Sequence, residues 1–287
     1  MIEVKYLDRL GNKLFQYCFG RILAEKLGYR LKAEPILGFP NTAIEVKGHD
    51  YSSYTEQILL GHFSTKIQRQ KIDLEFLIKD PSKRRIVIDG YFQRYEYYQP
   101  YKEAIRKDWL ATDLKDPEEK IGPEDIVVHV RRTDDALRGT AHPFSYYEEA
   151  LQHARYDRVF ICTDDLSDPF LKQFKKFNAI FSKNQKPPLV DFRFIMAFKK
   201  IILSASTFSW WAAFLSQANE IYAPIPLNGY WSGEYPKIDL KVNDESRYQY
   251  IVCKEIYRRT FAEHCAYQSL TVKNKIKNRL TAYLHRV

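Results

Sequence analysis

The sequence contains no long uncharged apolar stretch and no paired cysteine motif. No run of eighteen or more uncharged apolar residues occurs, so the sequence predicts no membrane-spanning helix. The four cysteines are scattered and no Cys-x-x-Cys pair is present, which argues against a zinc site. The first residues lack the basic and then apolar pattern of a secretion signal. We therefore expect a cytoplasmic protein with reduced thiols.

Motifs of several cofactor and metal enzymes are also missing. There is no Gly-x-Gly-x-x-Gly loop and no Walker loop, which leaves a dinucleotide cofactor or a kinase-type site unsupported. No Asp-x-Asp pair occurs, although many sugar-nucleotide enzymes chelate a metal with one. We therefore expect no metal and no resident cofactor. Arginines and helix N–H groups would have to neutralise any diphosphate that binds.

The positive charge of the chain is concentrated near its C-terminus. The whole chain has 287 residues, 45% hydrophobic content and a formal net charge of +9. Positions 247–287 contain nine lysines and arginines but only two acidic residues. The remainder is nearly neutral, which argues against a nucleic-acid-binding face over the body of the protein. We expect a globular protein that does not bind nucleic acid.

The order of predicted strands and helices indicates an α/β fold in two parts. Short, nearly continuous apolar strands alternate with helical segments, which is typical of parallel sheets covered by helices. A charged segment at 112–125 with two prolines and a glycine interrupts this pattern. We expect a first Rossmann-like domain over 1–115, a second one over 124–250 and a basic helical tail over 251–287.

The predicted tail has two interpretations. Its apolar residues fall on one helical face, with most of the basic residues off it. One interpretation is a last helix that packs back on the first domain. The other is weak peripheral attachment to the inner, anionic face of a membrane that carries a lipid-linked acceptor. The apolar set is Val272, Ile276, Leu280, Tyr283 and Leu284.

Four polar motifs directly follow predicted strands. They are Gly11-Asn12, "HVRRTDD" at 129–135, "TDD" at 163–165 and "STFS" at 206–209. Because ligands of parallel α/β sheets bind at the carboxyl ends of the strands, we expect these motifs to gather in one site.

The two arginines of "HVRRTDD" give the clearest chemical signal. A guanidinium binds phosphate through two parallel hydrogen bonds and keeps its charge, so Arg131 and Arg132 are candidates for holding a diphosphate. The alternative is a structural pairing of these arginines with aspartates in a loop. Asp134 and Asp135 are the candidates that the motif offers for a general base.

The "STFSWW" segment has the pattern of a helix start. Free N–H groups and the helix dipole at such a start favour an anion, and hydroxyl groups add donors. The alternative is an ordinary N-cap before a buried helix. Both interpretations can hold, with Trp210 and Trp211 in the core while Ser206, Thr207 and Ser209 donate outward.

The "TDD" motif is less specific. A carboxylate at a strand end can accept hydrogen bonds from the N1–H and N2 amine of guanine, and Asp165 is the candidate for this role. Equally, Asp164 or Asp165 can simply cap the next helix.

Taken in order, four blocks of the chain resemble the α1,2-fucosyltransferase family, glycosyltransferase family 11. The blocks are "LGNKLFQYCFG", "GYFQRYEYY", "HVRRTDD" and "DFRFIMAFKKIILSASTFSWWAAFL", and they span roughly residues 7 to 225. Some positions depart from the family pattern. Asp8-Arg9 replaces Gly-Gly, Thr133 replaces glycine and Asp135 replaces an aromatic residue. The "HVRRTD" block with His142-Pro143 is closer to core α1,6-fucosyltransferases, whose catalytic glutamate corresponds to Gly139 here.

The resemblance implies a two-domain GT-B fold, with the first domain on the acceptor side and a GDP-fucose donor bound mainly by the second. It further implies that no metal is needed and that the anomeric carbon of fucose is inverted. It also implies roles for single residues. Arg131 and Arg132 would hold the diphosphate, His129 and Asp165 would face the nucleoside, and Ser206, Thr207, Phe208 and Ser209 would meet the β-phosphate. Gly11 and Asn12 are counted with the donor-binding residues.

We therefore expect an inverting transferase that moves fucose from GDP-fucose to a galactoside hydroxyl, in α1,2 linkage. The expected catalytic residues are Arg131, Arg132, Asp134 and Asp135. The acceptor is an oligosaccharide or a lipid-linked glycan. The alternatives are a GDP-fucose-dependent transferase of another linkage, or a non-catalytic module that binds carbohydrate or nucleotide.

Overall fold

The computed structural model describes residues 1–60, 72–182, 188–227, 231, 238–263 and 265. The strands within these ranges are β1 (Ile2–Lys5), β2 (Leu31–Lys32), β3 (Glu56–Leu60), β4 (Arg85–Asp89), β5 (Ile126–Val130), β6 (Val159–Thr163), β7 (Ile180–Phe181), β8 (Lys200–Ile202), β9 (Glu220–Ile225) and β10 (Tyr248–Val252).

The α-helices are α1 (Leu10–Leu27), α2 (Leu74–Lys79), α3 (Tyr95–Tyr98), α4 (Lys102–Ala104), α5 (Thr133–Arg138), α6 (Phe144–His153), α7 (Pro188–Met196) and α8 (Thr207–Leu215). Segments of 3₁₀-helix lie at Pro40–Ala43, Gln99–Tyr101 and Pro169–Phe177, and a π-helical segment lies at Ile105–Trp109.

The first sheet is parallel and has the strand order β2-β1-β4-β3. Strand β1 pairs with β4 from Ile2 opposite Ile86 to Lys5 opposite Asp89. After β1 the chain enters α1, whose inward residues are buried against the sheet. The helix ends at Gly28, which adopts φ 65° and donates its N–H to the carbonyl of Ala24. Glycine takes this left-handed conformation without a steric penalty, which suits it to the end of the helix.

The second sheet is also parallel, in the order β10-β9-β8-β5-β6-β7. Its central strands β5 and β6 are buried along their full lengths, as their β-branched and aromatic residues predict. The expected α/β fold with two parallel sheets is therefore confirmed. The proposed domain limits near 115, 124 and 250 stay predictions.

The adjacent tryptophans of α8 join the two halves of the molecule. Both side chains are buried. The ring of Phe15, on α1, lies 5.1 Å from that of Trp210 and 4.7 Å from that of Trp211. Trp211 also contacts Tyr98, and Trp210 donates its indole N–H to the carbonyl of Leu240 at 2.9 Å. The tryptophans therefore belong to the core, as the sequence predicted.

The starts of α1 and α8 touch at Gly11. A β-carbon at this position would lie 2.6 Å from the carbonyl carbon of Thr207 and 2.7 Å from the nitrogen of Phe208. A side chain larger than hydrogen would collide with this backbone. Gly11 therefore allows the positive ends of two helices, one from each half, to come together.

Within the described ranges, no helix combines the length and the apolar character needed to cross a lipid bilayer. Most of the predicted basic tail, from residue 266 onward, lies outside the described residues, so both interpretations of the tail stay predictions.

We expect Gly11→Ala to lower the free energy of unfolding by about 1–3 kcal/mol, because its new methyl group would meet rigid backbone. Denaturant unfolding monitored by tryptophan fluorescence measures this change. Gly122→Ala is the matched control, since its β-carbon would meet nothing closer than a side-chain oxygen of Asp125 at 3.3 Å. Equal stability of the two variants would show that the helix starts are not in tight contact.

Candidate active site

The candidate site lies at the carboxyl ends of β5, β6 and β8. Strand β5 lies between the other two, with Val128 opposite Ile202 of β8 and Val130 opposite Thr163 of β6. The residues that follow these strands are therefore neighbours, as the strand-end motifs predicted. Arg131 follows β5 directly, and Asp164 follows β6.

The carboxylate of Asp164 organises the segment after β5. It accepts hydrogen bonds from the backbone N–H of Arg132 at 2.8 Å and from the hydroxyl of Thr133. Its Oδ2 also lies 3.1 Å from Nη1 of Arg131. Burial by itself would raise the pKa of Asp164, but the charge of Arg131 and the hydrogen bonds hold it below the ordinary value. Asp164 thus stays ionised and fixes both Arg131 and the start of α5.

Arg131 and Arg132 point to different surroundings. The side chain of Arg131 is 19% exposed and lies among Asp134 and Asp164 at the sheet edge. That of Arg132 is only 2% exposed and donates to Asp168 at 2.6 Å and Glu263 at 2.7 Å. The guanidinium of Arg132 also lies against the rings of Phe170 and Tyr257, at 4.3 and 4.8 Å from their centroids.

These surroundings indicate a structural role for Arg132. Its Nε and Nη2 are engaged, whereas Nη1 has no hydrogen-bond partner among the described residues. Its neighbours come from the segment after β6 and from residues 257–263, so the buried cation ties these segments to the end of β5. Of the two arginines predicted to hold a diphosphate, Arg131 is the more exposed, at the carboxyl end of β5.

The two aspartates of the motif also differ. Oδ2 of Asp134 accepts from Arg9 at 2.6 Å and lies 3.3 Å from Nη2 of Arg131. For the carboxylate of Asp135, the described part of the chain provides neither a hydrogen bond nor an ion pair. Burial raises the pKa of Asp135, although the charges of Arg131 and Arg138 oppose the effect. Asp135 is therefore the less engaged of the two candidates, and its burial favours the protonated form.

Two buried histidines support the loop between β8 and α8. Nδ1 of His129 lies 2.7 Å from Oγ of Ser204, and Nε2 of His142 accepts the backbone N–H of Ala205 at 2.8 Å. Burial lowers the pKa of His129 to about 4 and that of His142 to about 3. Both imidazoles are therefore neutral near pH 7, and the His142 bond requires an unprotonated Nε2.

The start of α8 is placed as predicted, but its hydroxyl groups are not equivalent. Ser206 is the N-cap residue, and its side chain makes no capping hydrogen bond. Ser209 is buried, and its Oγ is within hydrogen-bond distance of the carbonyls of Ser204 and Ser206. The prediction that Ser209 donates outward is therefore wrong, because the first helical turn directs its hydroxyl back to the backbone. Phe208 packs against His129 and Phe192, at 5.9 and 5.3 Å between ring centroids.

The Gly11-Asn12 motif participates in a network within the first half. Asn12 donates to Asp8 at 3.0 Å and accepts from Gln93 at 2.8 Å. The buried Gln16 accepts the N–H of Leu7 and donates to the carbonyl of Gly90. The motif thus links the loops after β1 and β4, and the donor-binding role of Gly11 and Asn12 stays a prediction.

Asp165 makes local contacts. Its Oδ1 accepts from the backbone N–H of Ser167 at 2.9 Å and from the Ser167 hydroxyl at 2.6 Å. Asp165 therefore stabilises a turn, whereas the next helical segment is capped by Asp168, which accepts the N–H of Phe170. Recognition of guanine by Asp165 stays a prediction.

Sequence reasoning did not single out several residues of this site. Arg9 appeared only as a departure from the family pattern, and His142 only as part of a similarity block. Asp164 was considered only as a cap, and Ser204 was not considered as a site residue. No local signal identifies their partners, because the pairs Arg9–Asp134 and His142–Ala205 are separated by 125 and 63 positions.

The two parallel sheets come together at the starts of α1 and α8, and the guanidinium of Arg131 lies at the same end of the strands. This is the arrangement expected of a GT-B glycosyltransferase. The family model of glycosyl transferase family 11 matches residues 89–232, half of the chain. The chain therefore belongs to glycosyl transferase family 11. This membership supports transfer of fucose from GDP-fucose.

The chain is similar to NodZ alpha-1,6-fucosyltransferase soaked with GDP-fucose, with 15% sequence identity and a TM-score of 0.45. The alignment covers 77% of this chain and 93% of that chain. No curated protein matches the chain.

The low pKa of His142 predicts a pH-dependent stability. In the unfolded chain this imidazole has a pKa near 6.5. The free energy of unfolding that the neutral ring contributes is therefore complete above that pH and is lost as the pH falls toward about 3. We expect His142→Gln, whose side-chain carbonyl can still accept the Ala205 N–H, to reduce this dependence. Between pH 6 and 4 the slope of unfolding free energy should fall by up to about 1.4 kcal/mol per pH unit, the value for one proton.

Urea unfolding at several pH values provides this slope. His153→Gln is the control, since His153 is exposed at the end of α6. An unchanged slope in folded His142→Gln would show that His142 does not titrate with unfolding.

Proposed function

We propose that the protein transfers fucose from GDP-fucose to a galactoside hydroxyl in α1,2 linkage, with inversion at the anomeric carbon. Family membership supports the donor and the transferred sugar. The main structural observation behind the proposal is the half-buried guanidinium of Arg131. Asp164 holds it at the carboxyl ends of the strands, where α8 begins. The linkage follows the family resemblance of the motifs.

The donor diphosphate is proposed to bind between Arg131 and the start of α8. The guanidinium provides two parallel donors for phosphate oxygens. The start of α8 adds backbone N–H groups and the positive end of its dipole, and the Ser206 side chain makes no capping bond there. As GDP departs, these fixed donors stabilise the charge that develops on its β-phosphate.

Asp135 is proposed as the general base. An inverting transfer requires a group that accepts the proton of the acceptor hydroxyl while its oxygen bonds to the anomeric carbon and GDP leaves. Burial raises the pKa of Asp135, and a carboxylate with a raised pKa accepts a proton more readily. Asp134, the other candidate, pairs with Arg9 and Arg131 when no donor is bound.

His129 and His142 are proposed to shape the donor site as neutral residues. Their bonds to Ser204 and Ala205 fix the loop that leads into α8. Protonation of either ring would add a buried charge and disturb this loop. The nucleoside is therefore expected to meet neutral imidazole at His129.

Metal-free catalysis remains part of the proposal. In the described ranges, no group of three or more His, Cys, Asp or Glu side chains is arranged to hold a metal ion. GDP binding and turnover are therefore expected to persist in EDTA, and recovery of activity only with manganese would refute this part.

The proposed function is tested by incubating the protein with GDP-fucose and a galactose-terminated oligosaccharide in EDTA. We expect GDP release that depends on the acceptor, and NMR of the product should show an α1,2-linked fucose. Asp135→Asn should lower kcat by at least ~100-fold and leave GDP affinity nearly unchanged, because a general base acts only on the reaction. Another linkage in the product would refute the linkage alone, whereas absence of GDP binding would refute the proposal.

The two arginines provide a matched pair of variants. We expect Arg131→Lys to lower turnover at least ~100-fold, because lysine keeps the charge but loses the two parallel donors. Arg132→Lys should instead lower the free energy of unfolding by about 1–3 kcal/mol, since it breaks buried hydrogen bonds to Asp168 and Glu263.

Kinetics and urea unfolding of both variants separate these effects. If folded Arg132→Lys is inactive while Arg131→Lys turns over at the wild-type rate, the two roles are reversed.

A further inference from the structure

Arg9 reaches from the first half of the protein into the candidate active site. It follows β1 at a position where the family pattern has glycine, and its side chain is 63% exposed. Nη2 of Arg9 donates to Oδ2 of Asp134 at 2.6 Å, although Asp134 belongs to the second half. The pair therefore bridges the two halves at the edge where the donor is proposed to bind.

Two guanidinium groups converge on one oxygen atom. Arg131 approaches the same Oδ2 of Asp134, with its Nη2 at 3.3 Å. The starts of α1 and α8 meet nearby, since Gly11 lies two residues after Arg9 and touches Thr207. Both helix dipoles present their positive ends there. The position of the Asp134 carboxylate is therefore one that favours an anion.

The ion pairs around Arg9 and Arg131 differ in how easily a ligand can replace them. Arg131 is also held by Asp164, whose side chain is mostly buried and receives further hydrogen bonds. The Arg9–Asp134 pair is largely exposed, and such pairs are weak in water. A diphosphate offers several charged oxygens and can bind guanidinium groups bidentately. It can therefore replace Asp134 while Asp164 continues to hold Arg131.

We propose that Arg9 is a second ligand of the donor diphosphate, and that Asp134 occupies the place of the phosphate until the donor binds. This inference rests on the proposed function. In the donor complex, Arg9 and Arg131 bind phosphate from opposite halves of the protein, and Asp134 is released from both arginines. Donor binding then joins the two halves through the substrate itself.

The test compares binding of GDP and of guanosine by isothermal titration calorimetry. We expect Arg9→Gln to weaken GDP binding about tenfold, equivalent to one charge-assisted contact, and to leave guanosine binding unchanged. Arg30→Gln is the matched control, because Arg30 is an exposed arginine of the first half that pairs with Asp50 at 3.0 Å. It should bind GDP as the wild type does.

The Asp134→Asn variant tests whether phosphate replaces the Asp134 carboxylate or whether the Arg9–Asp134 ion pair is only structural. Removing the competing carboxylate should tighten GDP binding several-fold when Arg9 is present, and should give a smaller gain in the Arg9→Gln background. If the pair only braced the two halves, either single variant would weaken GDP binding.

The outcomes distinguish this inference from the proposed function. If the wild type binds GDP and folded Arg9→Gln binds it equally well, the inference is overturned and the proposed function stands. Weaker GDP binding by folded Asp134→Asn also overturns the inference alone. If the wild type binds no GDP, the proposed function fails and the inference fails with it.

Discussion

The contact between the starts of α1 and α8 is the constraint on which the rest of the molecule depends. Gly11 leaves no room for a side chain against Thr207, and Phe15 packs on both tryptophans of α8 just beyond this point. Aromatic packing of this kind buries large apolar areas and fixes ring geometry. The two sheets are thus held with their polar strand ends together, and the candidate site is formed by both halves of the chain.

Burial decides the roles of charged residues at this edge. The sequence places Arg131 and Arg132 side by side, yet one lies at the edge and the other is enclosed by Asp168, Glu263 and two aromatic rings. A buried cation with several carboxylate bonds is costly to expose, whereas Arg131 can exchange part of its contacts for a ligand. In the proposed donor complex, the ion pair with Asp164 would keep Arg131 in place.

Much of the fold could be predicted from local pattern. The buried strands β5, β6, β8 and β9 and the aromatic helix α8 have strong apolar signals, whereas β3 and β10, which lie at the edges of their sheets, mix polar with apolar residues and give a weaker signal. The strand-end motifs predicted that the segments after β5, β6 and β8 are neighbours. They could not predict which arginine faces the candidate site, since Arg132 is turned inward by Asp168, Tyr257 and Glu263, which lie 36 to 131 positions away.

The most direct test of the account is a crystal structure of the protein with GDP, grown in the presence of EDTA. The account predicts that the diphosphate lies against the Arg131 guanidinium and the first backbone N–H groups of α8, with Arg132 still bound to Asp168 and Glu263. A diphosphate bound to Arg132 after those bonds break, or one bound away from the start of α8, would contradict it.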